Sequence, residues 1–148
     1  SVRSLAEARL VAAAGVDWID LKEPSAGALG AVDTAVVSAV SSAYGSVHRI
    51  SATIGDCWHA PAEIPARVRA MSAAGAQYVK VGAYLADPAP ALLAALRDAC
   101  ASSRVIVVAF AEAPPAPADL VRVAATGIVG LMLDTAVKQG PRLRELLD

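Results

Sequence analysis

Lysine is scarce in this 148-residue chain, which has ten arginines but only Lys22, Lys80 and Lys138. Each lysine falls at, or just past, the carboxyl end of a predicted strand. Asp20, Asp56 and Asp134 fall on the same rim. A protonated amine, with a reference pKa of about 10.4, is a poor nucleophile. A neighbouring cation and partial desolvation lower that value, and the free amine then attacks a carbonyl to form a Schiff base. Aspartates interleaved with such lysines carry the protons that enolisation, aldol addition and dehydration require. The same positive charge attracts a phosphorylated substrate. The plainer alternative is that Asp20 and Lys22 form a solvated ion pair at a strand end.

The stretch around the first lysine is Gly15-Val16-Asp17-Trp18-Ile19-Asp20-Leu21-Lys22-Glu23-Pro24. Side chains alternate along a strand, so Ile19 and Leu21 share one face while Trp18, Asp20 and Lys22 share the other. The other candidates are weaker. His48 alternates onto the face of Ile50 and Ile54 and reads as a packed residue. His59 sits in a loop beside Trp58, and Cys57 has no evident base partner. Met71 and Met132 read as core filler. No His, Asp or Glu set has metal-ligand spacing, so no metal and no cofactor are indicated.

The elements that must position these groups alternate along the chain. Helices are predicted within Ser1–Ala14, with Ser4 as the N-cap, and over Thr34–Tyr44, Ile64–Ala74, Ala89–Ser102 and Asp119–Ala125, with the start of another over Pro141–Leu147. Strands are predicted over Val16–Lys22, Val47–Gly55, Gln77–Ala83, Val105–Ala111 and Ile128–Thr135. This alternation implies parallel strands with right-handed crossovers. There is no G-x-G-x-x-G after the first strand and no P-loop, which counts against an open nucleotide-binding sheet. The expectation is therefore α/β of the TIM (β/α)8-barrel type. About five βα units are present in a single domain over residues 1–148, and the first strand and the last two are lacking.

The composition is 56% hydrophobic with a net charge of -1, which provides a core but no long-range attraction to nucleic acid or an anionic membrane. No run approaches the roughly 18 apolar residues needed to span a bilayer. Two cysteines without paired spacing suit a reducing compartment, with the cytoplasm as the default. Self-association into a homo-oligomer is left open.

Four segments together resemble one family: Ile19-Asp20-Leu21-Lys22-Glu23-Pro24 with Gly27-Ala28-Leu29-Gly30-Ala31, Ser51-Ala52-Thr53-Ile54-Gly55-Asp56, Tyr78-Val79-Lys80-Val81-Gly82, and Met132-Leu133-Asp134-Thr135-Ala136-Val137-Lys138. The family is (5-formylfuran-3-yl)methyl phosphate synthase, also called 4-(hydroxymethyl)-2-furancarboxaldehyde-phosphate synthase, and the resemblance runs through essentially the whole chain. It implies a TIM-barrel lyase that condenses two molecules of glyceraldehyde 3-phosphate, with loss of phosphate and water, in methanofuran biosynthesis. It further implies that Lys22 is the Schiff-base lysine and Lys80 the proton acceptor. Asp20, Asp134 and Lys138 would be acid–base and charge partners. Asp56, a carboxylate on the same rim, is expected to bind substrate. The loop Phe110-Ala111-Glu112-Ala113-Pro114-Pro115-Ala116-Pro117 departs from the family's usual Gly-Tyr-Ala-Asp pattern. Two alternatives stand beside this reading: another class I aldolase-like enzyme, and an inactive barrel fragment that acts as an assembly partner. An orotidylate-type decarboxylase is disfavoured, because its Asp-x-Lys motif continues to an Asp where this chain has Ser25.

Overall fold

The structure is a computed structural model that describes residues 1–137, 140 and 142–146. Helix starts are written locally. Asp33 caps α2 (Thr34–Tyr44), its carboxylate accepting the Ala35 amide at 2.7 Å. Ser4 caps α1 (Leu5–Ala13) by accepting the Glu7 amide at 3.2 Å. Helices α3 (Ile64–Ala73), α4 (Pro90–Cys100) and α5 (Pro117–Ala124) each carry a proline in the first turn, where a missing N–H leaves no bond unmade. The strands are β1 (Trp18–Leu21), β2 (Arg49–Thr53), β3 (Tyr78–Ala83), β4 (Val105–Phe110) and β5 (Gly130–Asp134). Every predicted strand is present, trimmed at its ends.

The five strands form one parallel sheet in the order β1-β2-β3-β4-β5. Sequential order leaves no switch point, which rules out the doubly wound arrangement. One face of the sheet carries Ile19, Leu21, Ile50, Ala52, Val79, Val81, Val105 and Val107. These residues pack against Ala8, Val37, Val40, Val68, Leu92 and Leu96 of the helices. Each fully buried Val, Leu or Ile contributes on the order of 1.5–3 kcal/mol, so this face holds the fold together. The other face carries the remaining parity: Asp20, Ser51 and Tyr78 in one row, and Thr53, Lys80, Ile106 and Gly130 in the next row toward the carboxyl ends.

One expectation needs correction here. The chain does not form a TIM (β/α)8 barrel; it forms a half-barrel, an α/β arc of five parallel strands covered by helices on one face. Closure requires the last strand to bond to the first, and five strands spaced about 4.8 Å apart subtend too little of a circle. The amino-terminal helix starts behind Ser4, as that expected N-cap implies, and the residues before it are not helical. Val2 is extended and pairs in parallel with Leu21; its amide bonds to the Asp20 carbonyl at 2.8 Å, and its carbonyl accepts the Lys22 amide at 3.0 Å. A one-residue pairing leaves no alternation for a sequence reader to find. Of the helix predicted over Pro141–Leu147, the described part is a short 3-10 turn, Leu143–Leu146, while Pro141 and Leu147 lie outside the described residues.

Candidate active site

Lys80 is in the middle of β3 and not at the carboxyl rim as expected: Gly82 and Ala83, already within the predicted strand, lie beyond it and pair with Val108 and Ala109. The residue is 7% exposed. Its Nζ lies 2.6 Å from Asp20 Oδ1 on β1, so the ion pair reaches across β2. The side chain it passes over is Ser51, whose Oγ donates to the same Asp20 oxygen at 2.6 Å. Ser1 Oγ donates to Asp20 Oδ2 at 2.7 Å. Burial alone pushes the Asp20 pKa upward. The charge of Lys80, with hydrogen bonds from Lys80, Ser51 and Ser1, outweighs it and holds the carboxyl below its ordinary value.

Lys22 is the first residue past β1, and strand parity puts it on the face of Asp20. Extending the register by one residue places Lys22 in the row of Thr53 and Lys80. Two strand spacings, about 10 Å between Cα atoms, separate the two lysines. Lys22 is half-buried and carries no ion pair among the described residues. Thr53, between them, is fully buried and donates from Oγ1 to the Gly30 carbonyl at 2.7 Å.

A cavity of about 330 Å³ opens on this face, lined by Trp18, Asp20, Ser51, Lys80, Ile106 and Met132. Toward the amino ends of the strands, the rings of Trp18 and Tyr78 stack at 4.5 Å. Arg49 lies over Trp18 and Arg104 over Tyr78, each 5.6 Å from the ring centre. Toward the carboxyl ends an apolar cluster of Leu29, Val108, Phe110 and Trp58 covers the face. A second cavity, of about 320 Å³ beside β5, is lined by Ala109, Pro114, Pro115, Leu120, Leu131, Met132 and Leu133 and presents no ionisable side chain.

The remaining predicted site residues are placed elsewhere. Asp56 accepts the backbone amides of Ala28 at 3.1 Å and Leu29 at 2.9 Å, so its carboxylate anchors the loop after β1. Asp134 ends β5 in register with Phe110, four residues beyond Gly130, which shares the row of Lys80. It accepts the Thr135 amide at 2.8 Å. The geometry therefore unites Lys80, Asp20 and the neighbouring Lys22, with Asp134 further up the face and Lys138 outside the described residues. Ser51 and Ser1 were not singled out from the sequence. Serine is too common in strands and termini to signal a role, although the parity shared by Asp20 and Ser51 held a clue.

The weaker candidates have structural partners. His48 Nδ1 lies 2.7 Å from the Val16 carbonyl, and His59 meets Trp58 edge-on at 6.3 Å. Burial pushes the Cys57 thiol up, and it does the same to Cys100 against a bond to Thr126. Met132, predicted as core filler, is 44% exposed on the cavity face. Among the described residues no group of three His, Cys, Asp or Glu side chains is placed to hold a metal. Nor is any described helix long and apolar enough to cross a membrane.

The 4-HFC-P synthase family model matches residues 1–148, and the chain belongs to that family. A Methylorubrum extorquens protein, provisionally named (5-formylfuran-3-yl)methyl phosphate synthase, is 40% identical over 99% of this chain and 60% of its own length. The (5-formylfuran-3-yl)methyl phosphate synthase of Methanothermobacter thermautotrophicus is 34% identical over 90% of this chain and 61% of its own. That of Archaeoglobus fulgidus is 33% identical over 97% of this chain and 66% of its own. The chain thus spans about six tenths of the length of these relatives. Among solved structures, it resembles a chain in the Amycolatopsis orientalis BexX/CysO complex, with a TM-score of 0.53 and 18% identity over 99% of this chain and 58% of that one. At that identity the likeness is one of fold alone, and it covers the open parallel α/β arc without extending it to a closed barrel.

Proposed function

We propose that the full-length protein containing this chain condenses two molecules of glyceraldehyde 3-phosphate into (5-formylfuran-3-yl)methyl phosphate, releasing one phosphate and two waters. The observation that carries this reading is the pair of lysines on one row of the concave face. Lys80 is held by Asp20 at 2.6 Å, while Lys22 has no ion pair among the described residues. In this reading the Lys22 amine adds to the substrate aldehyde carbon. Loss of water then gives a protonated imine, whose positive nitrogen acidifies the adjacent C–H. Lys80 takes and returns protons at that carbon, and Asp20 stabilises its charged form. Asp134, nearer the carboxyl rim, and Lys138 serve the later steps. Asp56 acts by holding the loop over the site. The names carried by the family's relatives support the product. The charge of the two lysines suits a phosphorylated aldehyde.

The test is borohydride reduction of the full-length protein with glyceraldehyde 3-phosphate, followed by peptide mass analysis. A substrate-sized adduct on Lys22, absent in Lys22→Ala, is the expected result. Lys22→Ala also loses furan absorbance while keeping the wild-type circular dichroism. Failure to trap an adduct, or an adduct that persists in Lys22→Ala, overturns the assignment.

A further inference from the structure

We propose that Ser51 is a positioning residue of this site: its hydroxyl pins one oxygen of Asp20 and thereby fixes where the Lys80 ammonium stands. The inference rests on the reading of Lys80 as the proton carrier. Ser51 is 3% exposed in the centre of β2, in register with Asp20 on one side and Tyr78 on the other. Its 2.6 Å contact is in the range of a hydroxyl donating to a charged carboxylate. The oxygen it holds, Oδ1, is the one that receives Lys80 at 2.6 Å. Ser1 holds Oδ2 at 2.7 Å. With both oxygens occupied, the carboxylate plane cannot turn to follow the long, flexible lysine. Lys80 is instead drawn across β2 toward β1, the strand that Lys22 follows.

The neighbouring hydroxyl makes the contrast. Thr53 turns its Oγ1 to the carbonyl of Gly30 in the covering loop and lines no part of the cavity, whereas Ser51 lines it beside Asp20 and Lys80.

The charged and titratable side chains on the elements around Asp20 are Lys80 and Tyr78 from β3, Arg49 from β2, Asp17 and Lys22 on either side of its own strand, and Arg3 from the amino-terminal segment. Substitution at Ser51 removes none of these groups, so a change in Asp20 reports the lost hydroxyl together with the shift of Lys80 that its loss allows.

The experiment compares full-length wild type, Ser51→Ala and Ser51→Thr in two measurements. In the assay with glyceraldehyde 3-phosphate, Ser51→Ala is expected to lower kcat about tenfold with KM within about twofold, and Ser51→Thr to restore most of it. In a carbon-13 carboxyl titration, with Asp20 assigned by Asp20→Asn, the Asp20 midpoint rises in Ser51→Ala and returns toward wild type in Ser51→Thr. An unchanged kcat or an unchanged Asp20 midpoint in Ser51→Ala overturns the proposal. So does a Ser51→Thr variant that regains the wild-type midpoint yet stays as slow as Ser51→Ala. If wild type makes no furan product, the functional reading fails, and the titration still decides whether Ser51 holds Asp20.

Discussion

Leu29 fills the space in front of Gly82. A methyl group added to that glycine would run into Leu29 Cδ1, with Phe110 Cζ only 3.0 Å away on the other side. Leu29 comes from the loop after β1 and Gly82 from β3, two strands distant. The contact therefore lays the loop across the concave face just above the row that contains Lys80.

Gly82→Ala follows directly as a test. Leu29 is 2% exposed and Phe110 fully buried, so neither has solvent to retreat into. Overpacking of this kind costs about 1–3 kcal/mol. Thermal unfolding should show that loss in Gly82→Ala. In a Leu29→Ala background, where the space is vacated, the same substitution should cost almost nothing. Equal losses in both backgrounds would show that Leu29 and Gly82 are not coupled.

The loop that delivers Leu29 is tied down by Asp56 through the amides of Ala28 and Leu29. Gly27, beside them, takes a φ of +114° and passes so close to the Asp56 carboxylate that a side chain would collide with it. Asp56→Ala leaves two amides without an acceptor and is expected to destabilise by about 1–3 kcal/mol. Hydrogen exchange should accelerate at Ala28 and Leu29 before it does at the strand amides. Unaltered exchange at both would remove the anchoring role.

What the sequence disclosed and what it concealed divide along a physical line. Strands bounded by glycines and helices opened by Asp33 or by prolines are local features, and Thr34–Tyr44 was legible end to end. Parity placed Asp20 and Lys22 on one face. The Lys80–Asp20 pair was not legible, because it joins strands that are not neighbours and depends on the curvature of the sheet. The same limit applies to the loop-anchoring bonds of Asp56, whose backbone partners lie 28 and 27 residues away. Closure was misjudged because alternating βα units look alike in an arc and in a ring. The count of five strands was legible, but edge pairing, which decides between those two, leaves no mark in the periodicity.

Lys80→Met separates charge from packing at the centre of the site. It keeps an apolar stem of similar length but leaves the Asp20 carboxylate with only Ser51 and Ser1 as donors. Loss of one partner from a fully buried pair costs about 3–5 kcal/mol; with the Asp20 side chain 25% exposed, solvent reduces this to about 1–3 kcal/mol. Adding Asp20→Asn removes the stranded charge, so the double variant should be more stable than Lys80→Met alone in urea unfolding. A double variant that is less stable than the single one would mean that the aspartate contributes through its other bonds.

The depressed pKa of Asp20 has a definite consequence for acid stability. In the folded chain the carboxyl titrates below its ordinary value of 3.8, against burial and through Lys80, Ser51 and Ser1. Between the folded and unfolded values the unfolded chain binds a proton that the folded chain has released. Stability therefore rises with pH across that window. The contribution is complete above the unfolded value and disappears as pH falls through the folded one. Asp20→Asn should accordingly flatten the decline in stability below about pH 4 and lower the plateau at neutral pH. Ser51→Ala, which raises the folded value toward the unfolded one, should narrow the same window without abolishing it. Measured by urea unfolding at intervals from pH 2 to 7, an acid limb in Asp20→Asn as steep as that of wild type would place the linkage on another carboxylate.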